Sequence, residues 1–293
     1  MTTSVFRLPP RTVGVVVKHS SPDAISLGLR VLDELARRGV AGVVDAESAG
    51  ALGTPAGPPR ASLGRHVDVV LVLGGDGTFL SATHECPAST PIAGVNLGFL
   101  GFLTEHAPAR TFELLEAILT GNVEIEQRAR LQVRVEGGDE VRSYQVVNDV
   151  VVTKAALARI VTVCVEVEGE LLSRYRGDGL ILSTPTGSTA YNLSAGGPIV
   201  HPALAAYLIT PICPHTLSNR PLAIPTDLRT RVWVEPGAVQ AYLTLDGQIG
   251  FPLSPHMRVI VGPSGEPLSV IRDASSSFFS ILHHKLKWGD REG

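Results

Sequence analysis

Residues 67–80 read Val-Asp-Val-Val-Leu-Val-Leu-Gly-Gly-Asp-Gly-Thr-Phe-Leu, an apolar run that ends in a glycine turn holding one carboxylate. The nearly unbroken apolar run is typical of a central parallel strand covered on both faces. Gly74, Gly75 and Gly77 lack side chains, so phosphate oxygens can approach the backbone N–H groups of the turn. The stretch therefore predicts an α/β fold with Asp76 at a phosphate site. A plain strand-to-helix turn with Asp76 as the helix N-cap would use the same residues.

The composition is that of a folded protein without a basic surface. The chain has 293 residues, of which 44% are apolar and 18% are charged, and its net charge of −3 argues against general nucleic-acid binding. Cys86, Cys164 and Cys213 are too few and too scattered for a disulfide framework or a Cys-x-x-Cys metal site. Residues 1–10 lack a signal-peptide core, and no stretch has the apolar length of a membrane span. We expect a cytoplasmic protein with no membrane partner and no nucleic-acid partner.

Strand and helix patterns alternate over the first hundred residues. Residues 13–17 and 40–44 predict short strands on either side of a helix that begins after the cap residue Ser21. Residues 91–95 repeat the buried-strand pattern of the opening stretch. This order of elements predicts a Rossmann-like, doubly wound α/β domain over residues 1–122.

Three stretches of this domain are less regular. Residues 48–63 are rich in Ala, Gly and Pro and predict a loop or a weak helix. Residues 78–85 predict a short helix after the glycine turn. Asn96-Leu97-Gly98-Phe99-Leu100-Gly101 then predicts a loop.

The pattern changes to period two after the first domain. Residues 131–135 and 161–167 alternate apolar with polar side chains, as half-buried antiparallel strands do. We therefore expect a β-rich domain over residues 123–270. Residues 271–293 mix Phe, Ile and Leu with His and Lys, which predicts an amphipathic terminal segment that packs on another surface.

Two polar stretches are further candidates for ligand binding. The chain holds no Gly-x-Gly-x-x-Gly fingerprint and no Gly-Lys-Ser/Thr phosphate loop, so a nucleotide site must be of another type. Asn148-Asp149 places an amide beside a carboxylate, which suits ribose hydroxyls and an adenine amino group, or simply a turn between strands. Residues 177–198 are crowded with Ser, Thr and Gly. Their hydroxyl groups suit a ligand's polar edge, or turn formation and capping.

Single charged and polar residues give weaker signals. Arg176 lies just before Gly177-Asp178 and suits either a phosphate contact or an exposed strand end. Asp246-Gly247-Gln248 follows an alternating strand, where Asp-Gly usually marks a hairpin turn. His201 and His215 lack metal spacing, so we expect structural roles for both.

Taken together and in this order, these segments resemble the NAD kinase family over residues 67 to about 288. The motifs that carry the resemblance are Gly74-Gly75-Asp76-Gly77, Asn96-Leu97-Gly98-Phe99-Leu100, Asn148-Asp149, Thr184-Pro185-Thr186-Gly187-Ser188-Thr189-Ala190-Tyr191 and Asp246-Gly247-Gln248. The hydroxyl-rich run is the most specific of them. The resemblance implies an α/β amino-terminal domain, a β-rich carboxyl-terminal domain, NAD bound between them, and residues 271–293 returning to the first domain.

The resemblance also implies a reaction. A terminal phosphoryl group would pass from ATP, or from polyphosphate, to the 2′-hydroxyl of the adenosine ribose of NAD, giving NADP. A divalent metal, expected to be Mg²⁺, would accompany ATP. Asp76 would be the catalytic general base, and Gly74, Gly75, Gly77 and Thr78 would bind phosphate.

The NAD site implied by the same match is broader. It comprises Asp76, Gly77, Asn148, Asp149, Arg176, Asp178, Thr189, Ala190, Tyr191, Ser194 and Gln248. No protein residue is implied as a metal ligand, and a homodimer or homotetramer is expected. Many bacterial members have Asn-Glu where this chain has Asn148-Asp149, a carboxylate shorter by one methylene.

Two other functions remain open from sequence. Lipid kinases of the diacylglycerol or sphingosine type carry a similar Gly-Gly-Asp-Gly turn. A non-catalytic dinucleotide-binding sensor would keep the pocket and lack turnover. Asp76 argues against the sensor, because a pure binder needs no base there.

Overall fold

The computed structural model describes residues 6, 8–98, 101–138, 140–155, 160–216, 218–236 and 240–287. The helices are α1 (Pro22–Arg37), α2 (Ala46–Leu52), α3 (Asp76–Ser81), α4 (Thr111–Thr120), α5 (Tyr191–Ser194) and α6 (Phe278–Leu286). The strands are β1 (Thr12–Val17), β2 (Ala41–Val44), β3 (Val69–Gly74), β4 (Ile92–Asn96), β5 (Ile125–Arg128), β6 (Leu131–Glu136), β7 (Arg142–Val146), β8 (Asp149–Lys154), β9 (Val161–Val167), β10 (Glu170–Gly177), β11 (Gly179–Ser183), β12 (Ala206–Ile212), β13 (Leu222–Pro225), β14 (Thr230–Val234), β15 (Ala241–Leu245), β16 (Ile249–Leu253), β17 (Arg258–Pro263) and β18 (Leu268–Ile271). Phe99, Leu100 and residues 288–293, which belong to the predicted loop and terminal segment, lie outside the described residues.

The chain divides into two compact units. The first comprises Met1–Gln127 with Leu268–Gly293, and the second comprises Arg128–Pro267. The sequence pattern predicts domain boundaries after residues 122 and 270. The two units change over in the chain after residues 127 and 267. Among the residues described, no helix has the length and apolar character needed to cross a membrane.

The first unit is built on a six-stranded sheet in the order β2-β1-β3-β4-β18-β5. Strands β1, β2, β3, β4 and β18 pair in parallel, which confirms the α/β prediction. Every residue of β3 is buried, as the apolar run at residues 67–73 predicts. Helix α1 begins at Pro22 because the Ser21 hydroxyl accepts a hydrogen bond from the N–H of Ala24 (3.3 Å).

Two helices of this unit differ from the sequence prediction. The stretch read as a loop or weak helix contains α2, which Asp45 caps at its start and Gly53 ends in the left-handed conformation (φ 62°). Helix α3 starts at Asp76 and stops at Ser81, earlier than predicted at both ends. The Thr83 hydroxyl donates to the carbonyl of Leu80 (2.8 Å), a local bond that replaces continued helix.

The second unit contains two six-stranded sheets. Their orders are β10-β9-β14-β17-β6-β7 and β13-β12-β11-β8-β15-β16, and the neighbouring strands run antiparallel. One continuous apolar core takes side chains from both sheets, with Val133 and Val163 from the first and Val152 and Leu243 from the second. The alternation at residues 131–135 and 161–167 thus correctly predicts a β-rich unit.

A pair of leucine substitutions tests the central position of β3. Leu71 is fully buried and Leu29 on α1 is 47% exposed. We expect Leu71→Ala to lower the free energy of unfolding by about 2–5 kcal/mol, because it leaves a cavity between packed layers. The matched Leu29→Ala should change it by about 0.5 kcal/mol or less. Urea unfolding followed by circular dichroism measures both, and equal midpoints would contradict a central β3.

Candidate functional site

The glycine turn delivers Asp76 from the end of β3 to the first position of α3. Gly75 is the N-cap residue, so Asp76 is not the cap that the simpler interpretation of the turn required. A Cβ atom at Gly74 would lie 2.8 Å from the Thr78 hydroxyl, so the turn needs glycine there. Gly77 is exposed and Thr78 is partly buried. The residues predicted to bind phosphate are therefore gathered around one tight turn.

The Asp76 carboxylate accepts hydrogen bonds from a second segment of the same unit. Its Oδ1 accepts from the N–H of Leu103 (3.2 Å), the N–H of Thr104 (3.0 Å) and the hydroxyl of Thr104 (2.9 Å). Its Oδ2 accepts from the N–H of Phe102 (2.9 Å). Hydrogen bonds to a charged group are among the stronger ones in proteins. Successive donors thus fix both oxygens of the carboxylate.

Gly101 makes this arrangement possible. A Cβ atom there would lie 2.0 Å from Asp76 Oδ1 and 2.3 Å from the Thr104 hydroxyl oxygen. Such distances are far inside van der Waals contact, so any side chain at this position displaces the carboxylate or the loop. The sequence motif that ends at Gly101 is therefore required by the position of Asp76.

A pocket of about 440 Å³ lies in the second unit. Its floor is one face of β8, where Asp149, Val151 and Thr153 alternate with residues that point into the core. Thr244 of the neighbouring strand β15 lies opposite Val151. The complete lining is Asn148, Asp149, Val151, Thr153, Ala190, Tyr191, Thr244, Asp246 and Gly247. Asn148, Asp149, Ala190 and Tyr191, predicted from separate stretches of sequence, are thus brought together.

Asp246 holds the strand entry that carries Asn148 and Asp149. It lies in the left-handed conformation (φ 51°) in the turn between β15 and β16, and its carboxylate is buried. Oδ2 accepts from the N–H of Val147 (2.9 Å), and Oδ1 accepts from the N–H groups of Asn148 (2.7 Å) and Asp149 (3.1 Å). The hairpin turn predicted from Asp-Gly is present, but the sequence pattern did not reveal that its carboxylate organises the neighbouring chain.

Two side chains at this pocket are poised for polar contacts. Asn148 Oδ1 is buried and has no hydrogen-bond partner among the described residues, a costly state that a ligand donor would relieve. Asp149 is 5% exposed. Burial, and secondarily the negative charge of Asp246, raise the pKa of Asp149 to about 7. The pocket therefore presents one unpaired acceptor and one carboxyl group that titrates near neutrality.

The hydroxyl-rich run shapes the wall of this pocket mainly through its own backbone. The Thr184 hydroxyl donates to the carbonyl of Val147 (2.5 Å), and the Ser188 hydroxyl donates to a carbonyl of its own loop (2.6 Å). A Cβ atom at Gly187 would lie 2.1 Å from the carbonyl oxygen of Asn148, so only glycine lets the two segments meet. Turn formation therefore uses most of the hydroxyl groups that the sequence offered as ligand contacts.

The other predicted NAD contacts of the second unit are not among the residues that line this pocket. Asp178 is 3.6 Å from the ammonium group of Lys154, and its side chain is 46% exposed. Arg176, Ser194 and Gln248 are exposed. Thr189, partly buried, donates to a loop carbonyl (3.2 Å). Their roles toward NAD remain predictions.

Sequence reasoning missed several residues of both sites. Val151, Thr153 and Thr244 line the pocket. For the first two, the available signal was strand geometry, which places every second residue after Asp149 on the same face. The donors to Asp76 at residues 102–104 had no signal in composition, because backbone N–H groups supply most of them.

Comparison with known proteins shows which family this sequence resembles. Family models described as the ATP-NAD kinase N-terminal domain and the ATP-NAD kinase C-terminal domain match residues 13–123 and 147–273. Proteins named NAD kinase from Syntrophobacter fumaroxidans and Geobacter sulfurreducens are 43% and 42% identical, covering 95% and 96% of this chain and 99% and 100% of their own.

Two solved structures are also similar. An NAD kinase from Archaeoglobus fulgidus in complex with ATP is 25% identical, with a TM-score of 0.72 over 92% of this chain and 98% of that one. Yeast NADH kinase complexed with NADH is 24% identical, with a TM-score of 0.86 over 96% of this chain and 88% of that one, and shows the same fold.

The titration of Asp149 predicts a pH-dependent stability. In the native state Asp149 keeps its proton up to a pKa of about 7, whereas an unfolded Asp titrates near about 4. Between these values the native state binds the extra proton, so this contribution to stability is present at low pH and is lost as the pH rises through about 7. Asp149→Asn removes the titration.

We therefore expect Asp149→Asn to gain stability relative to the parent chain by about 1–3 kcal/mol between pH 5 and pH 8. Urea unfolding at pH 5, 6, 7 and 8 measures the difference. Asp33→Asn, at a carboxylate that is 70% exposed on α1, is the matched control and should give a flat profile. If the difference in unfolding free energy between Asp149→Asn and the parent chain is the same at all four pH values, the raised pKa of Asp149 is contradicted.

Proposed function

This chain belongs to the NAD kinase family, and from that premise we propose how its residues carry out the transfer of a phosphoryl group from ATP to NAD. The product of this activity is NADP. The observation that carries the proposal is Asp76, a carboxylate held at the end of β3 by donors from residues 102–104. Such a fixed acceptor beside a glycine turn is what a phosphoryl-transfer site needs from the protein.

Asp76 is the general base of the proposed reaction. The 2′-oxygen of the adenosine ribose forms a bond to the terminal phosphorus of ATP, and the bond from that phosphorus to the bridging oxygen of ADP breaks. The 2′-hydroxyl proton passes to Asp76. We assign it to Oδ2, because Oδ1 already accepts from three donors. General-base catalysis of this kind contributes about 10²- to 10⁴-fold to the rate.

Asn148 and Asp149 are the proposed contacts to the adenosine. The unpaired Oδ1 of Asn148 suits an N–H donor such as the adenine amino group, and the Asp149 carboxyl group suits ribose hydroxyls. Ala190 and Tyr191 offer an apolar wall in the same pocket. The other predicted NAD contacts, at Arg176, Asp178, Thr189, Ser194 and Gln248, belong to this proposal on the resemblance alone.

The phosphates of the donor meet the glycine turn in this proposal. Gly74, Gly75, Gly77 and Thr78 surround the start of α3, where backbone N–H groups lack helical partners. Among the described residues, no group of three or more His, Cys, Asp or Glu side chains could hold a metal ion. In this proposal Mg²⁺ would be bound mainly by ATP oxygens and water, and the ion would neutralise charge on the transferred group.

Family membership favours NAD kinase activity over the lipid-kinase and sensor alternatives. We propose ATP as the donor, and an assay with ATP and with polyphosphate distinguishes the two donors. We propose a cytoplasmic location, because three scattered cysteines argue against a disulfide framework. A homodimer or homotetramer is supported by the edge strand β10, whose Leu171 is 52% exposed, and light scattering measures the state.

Replacement of the proposed base gives the direct test. We expect Asp76→Asn to lower the turnover number by about 10²- to 10⁴-fold, because an amide cannot accept the hydroxyl proton. Affinity for NAD should stay within a few fold. NADP formation under saturating ATP and Mg²⁺ measures turnover, and calorimetry measures NAD binding. Asp33→Asn serves as the control for a lost carboxylate, and wild-type turnover in Asp76→Asn would remove Asp76 as the base.

Metal removal tests the proposed source of charge neutralisation. Excess EDTA should abolish NADP formation, and MgCl₂ should restore it, because the ion arrives with ATP. The melting temperature of the nucleotide-free protein should not change on adding EDTA, since no protein cage binds the ion in this proposal. Activity that survives EDTA would contradict a metal-dependent transfer. A lower melting temperature would instead indicate a metal held by the protein.

A further inference from the structure

The segment that follows β4 carries a hydrogen-bonded chain that ends on Asp76. The sequence motif that starts at Asn96 belongs to this segment, and the proposed reaction assigns it no role. Asn96 is 5% exposed and Thr104 is fully buried. Both side chains are therefore sheltered polar groups whose hydrogen bonds must be accounted for within the protein.

The order of donors and acceptors along this chain is fixed at one end. The N–H of Gly98 can only donate, and it lies 2.7 Å from Asn96 Oδ1. The amide of Asn96 must then turn its Nδ2 group to the Thr104 hydroxyl oxygen, 2.9 Å away. Because that hydroxyl accepts from Asn96, its own hydrogen is free to point to Asp76 Oδ1 at 2.9 Å.

The backbone of the segment is anchored without these side chains. The N–H of Asn96 donates to the carbonyl of His106 (2.9 Å), and the N–H of His106 donates to the carbonyl of Gly94 (3.3 Å). Val95 and His106 form a parallel bridge. The loop therefore does not need the Thr104 hydroxyl to hold its backbone in place. That hydroxyl instead contacts Asp76 and Asn96.

We propose that Thr104 and Asn96 are positioning residues for Asp76, which commit Oδ1 to fixed donors and leave Oδ2 to receive the substrate proton. This inference rests on the proposed role of Asp76 as the base. Asn96 sets the direction of the Thr104 hydroxyl, and the hydroxyl keeps the carboxylate from rotating about its Cβ–Cγ bond. Without it, only the backbone N–H groups of residues 102–104 hold the carboxylate, and Asp76 would spend less time with Oδ2 facing the attacking hydroxyl.

Thr104→Val removes the hydroxyl and keeps the side-chain shape. We expect the turnover number to fall about 10- to 100-fold, the cost of one hydrogen bond to a charged group, while the KM for NAD stays within about threefold. Thr104→Ser, which restores the hydroxyl, should recover turnover to within about threefold of the parent chain. Thr90→Val is the matched control, because the buried Thr90 hydroxyl donates to the carbonyl of Gly64 (2.8 Å) before the start of β4, whereas Asp76 follows the carboxyl end of the parallel strand β3. Its turnover should be unchanged.

Asn96→Asp tests the direction of the hydrogen bonds that link Asn96, Thr104 and Asp76. A carboxylate at this position accepts from the Thr104 hydroxyl and draws its hydrogen away from Asp76, so turnover should fall at least as far as in Thr104→Val. Melting temperatures of all variants separate this loss from unfolding. A loss of turnover in Thr90→Val that matches its loss of stability would overturn the proposal.

A double substitution separates positioning from simple structural support. If Thr104 acts through Asp76, Thr104→Val should cost no further turnover in the Asp76→Asn background, because the base is already absent. Independent, multiplying losses would overturn the proposal, as would turnover of Thr104→Val within about twofold of the parent chain. An inactive parent chain would overturn the proposed function as well, whereas an active parent with an unaffected Thr104→Val overturns only the positioning role.

Discussion

The hydrogen bonds that residues 102–104 donate to the Asp76 carboxylate are the constraint on which the first unit's chemistry depends. They join the end of β3 to the loop after β4, and the pairing of those two parallel strands brings the segments together. The loop must approach closely enough to donate, so Gly101 cannot carry a side chain. The carboxyl ends of two central strands, a tight turn and one glycine are therefore parts of a single arrangement around one charged group.

The second unit uses the same physical device for a different end. Asp246 also accepts three backbone N–H groups, but its charge is buried and lies near a second carboxyl group. Burial and this neighbouring charge raise the pKa of Asp149 to about 7. One carboxylate thus fixes the backbone, and burial, with a smaller contribution from that carboxylate's charge, gives the pocket a group that changes charge near neutral pH.

The fold was predictable where burial alone decides the structure, and less so where local bonds do. The apolar run of β3 and the alternation of β6 and β9 predicted these strands, because burial by the neighbouring layer sets a regular pattern of apolar residues along a strand. Helix α2 was left open as a loop or a weak helix, because the Gly and Pro residues that follow it obscured the cap at Asp45. Asp76 and Asn148 stood out as polar residues at strand ends. The donors to Asp76 did not, because a backbone N–H group has no residue type and only the fold decides where it points.

The Asp76 arrangement is complete within residues 74–104 of a single unit, since the turn, the glycine opening and the hydrogen-bond donors all come from that stretch. The proposed base and the proposed phosphate turn are thus held in place by one stretch of chain. The polar groups proposed to recognise the adenosine belong to the other unit. Under the proposed roles, substitutions in the adenosine pocket of the second unit leave the hydrogen bonds around Asp76 in the first unit unchanged.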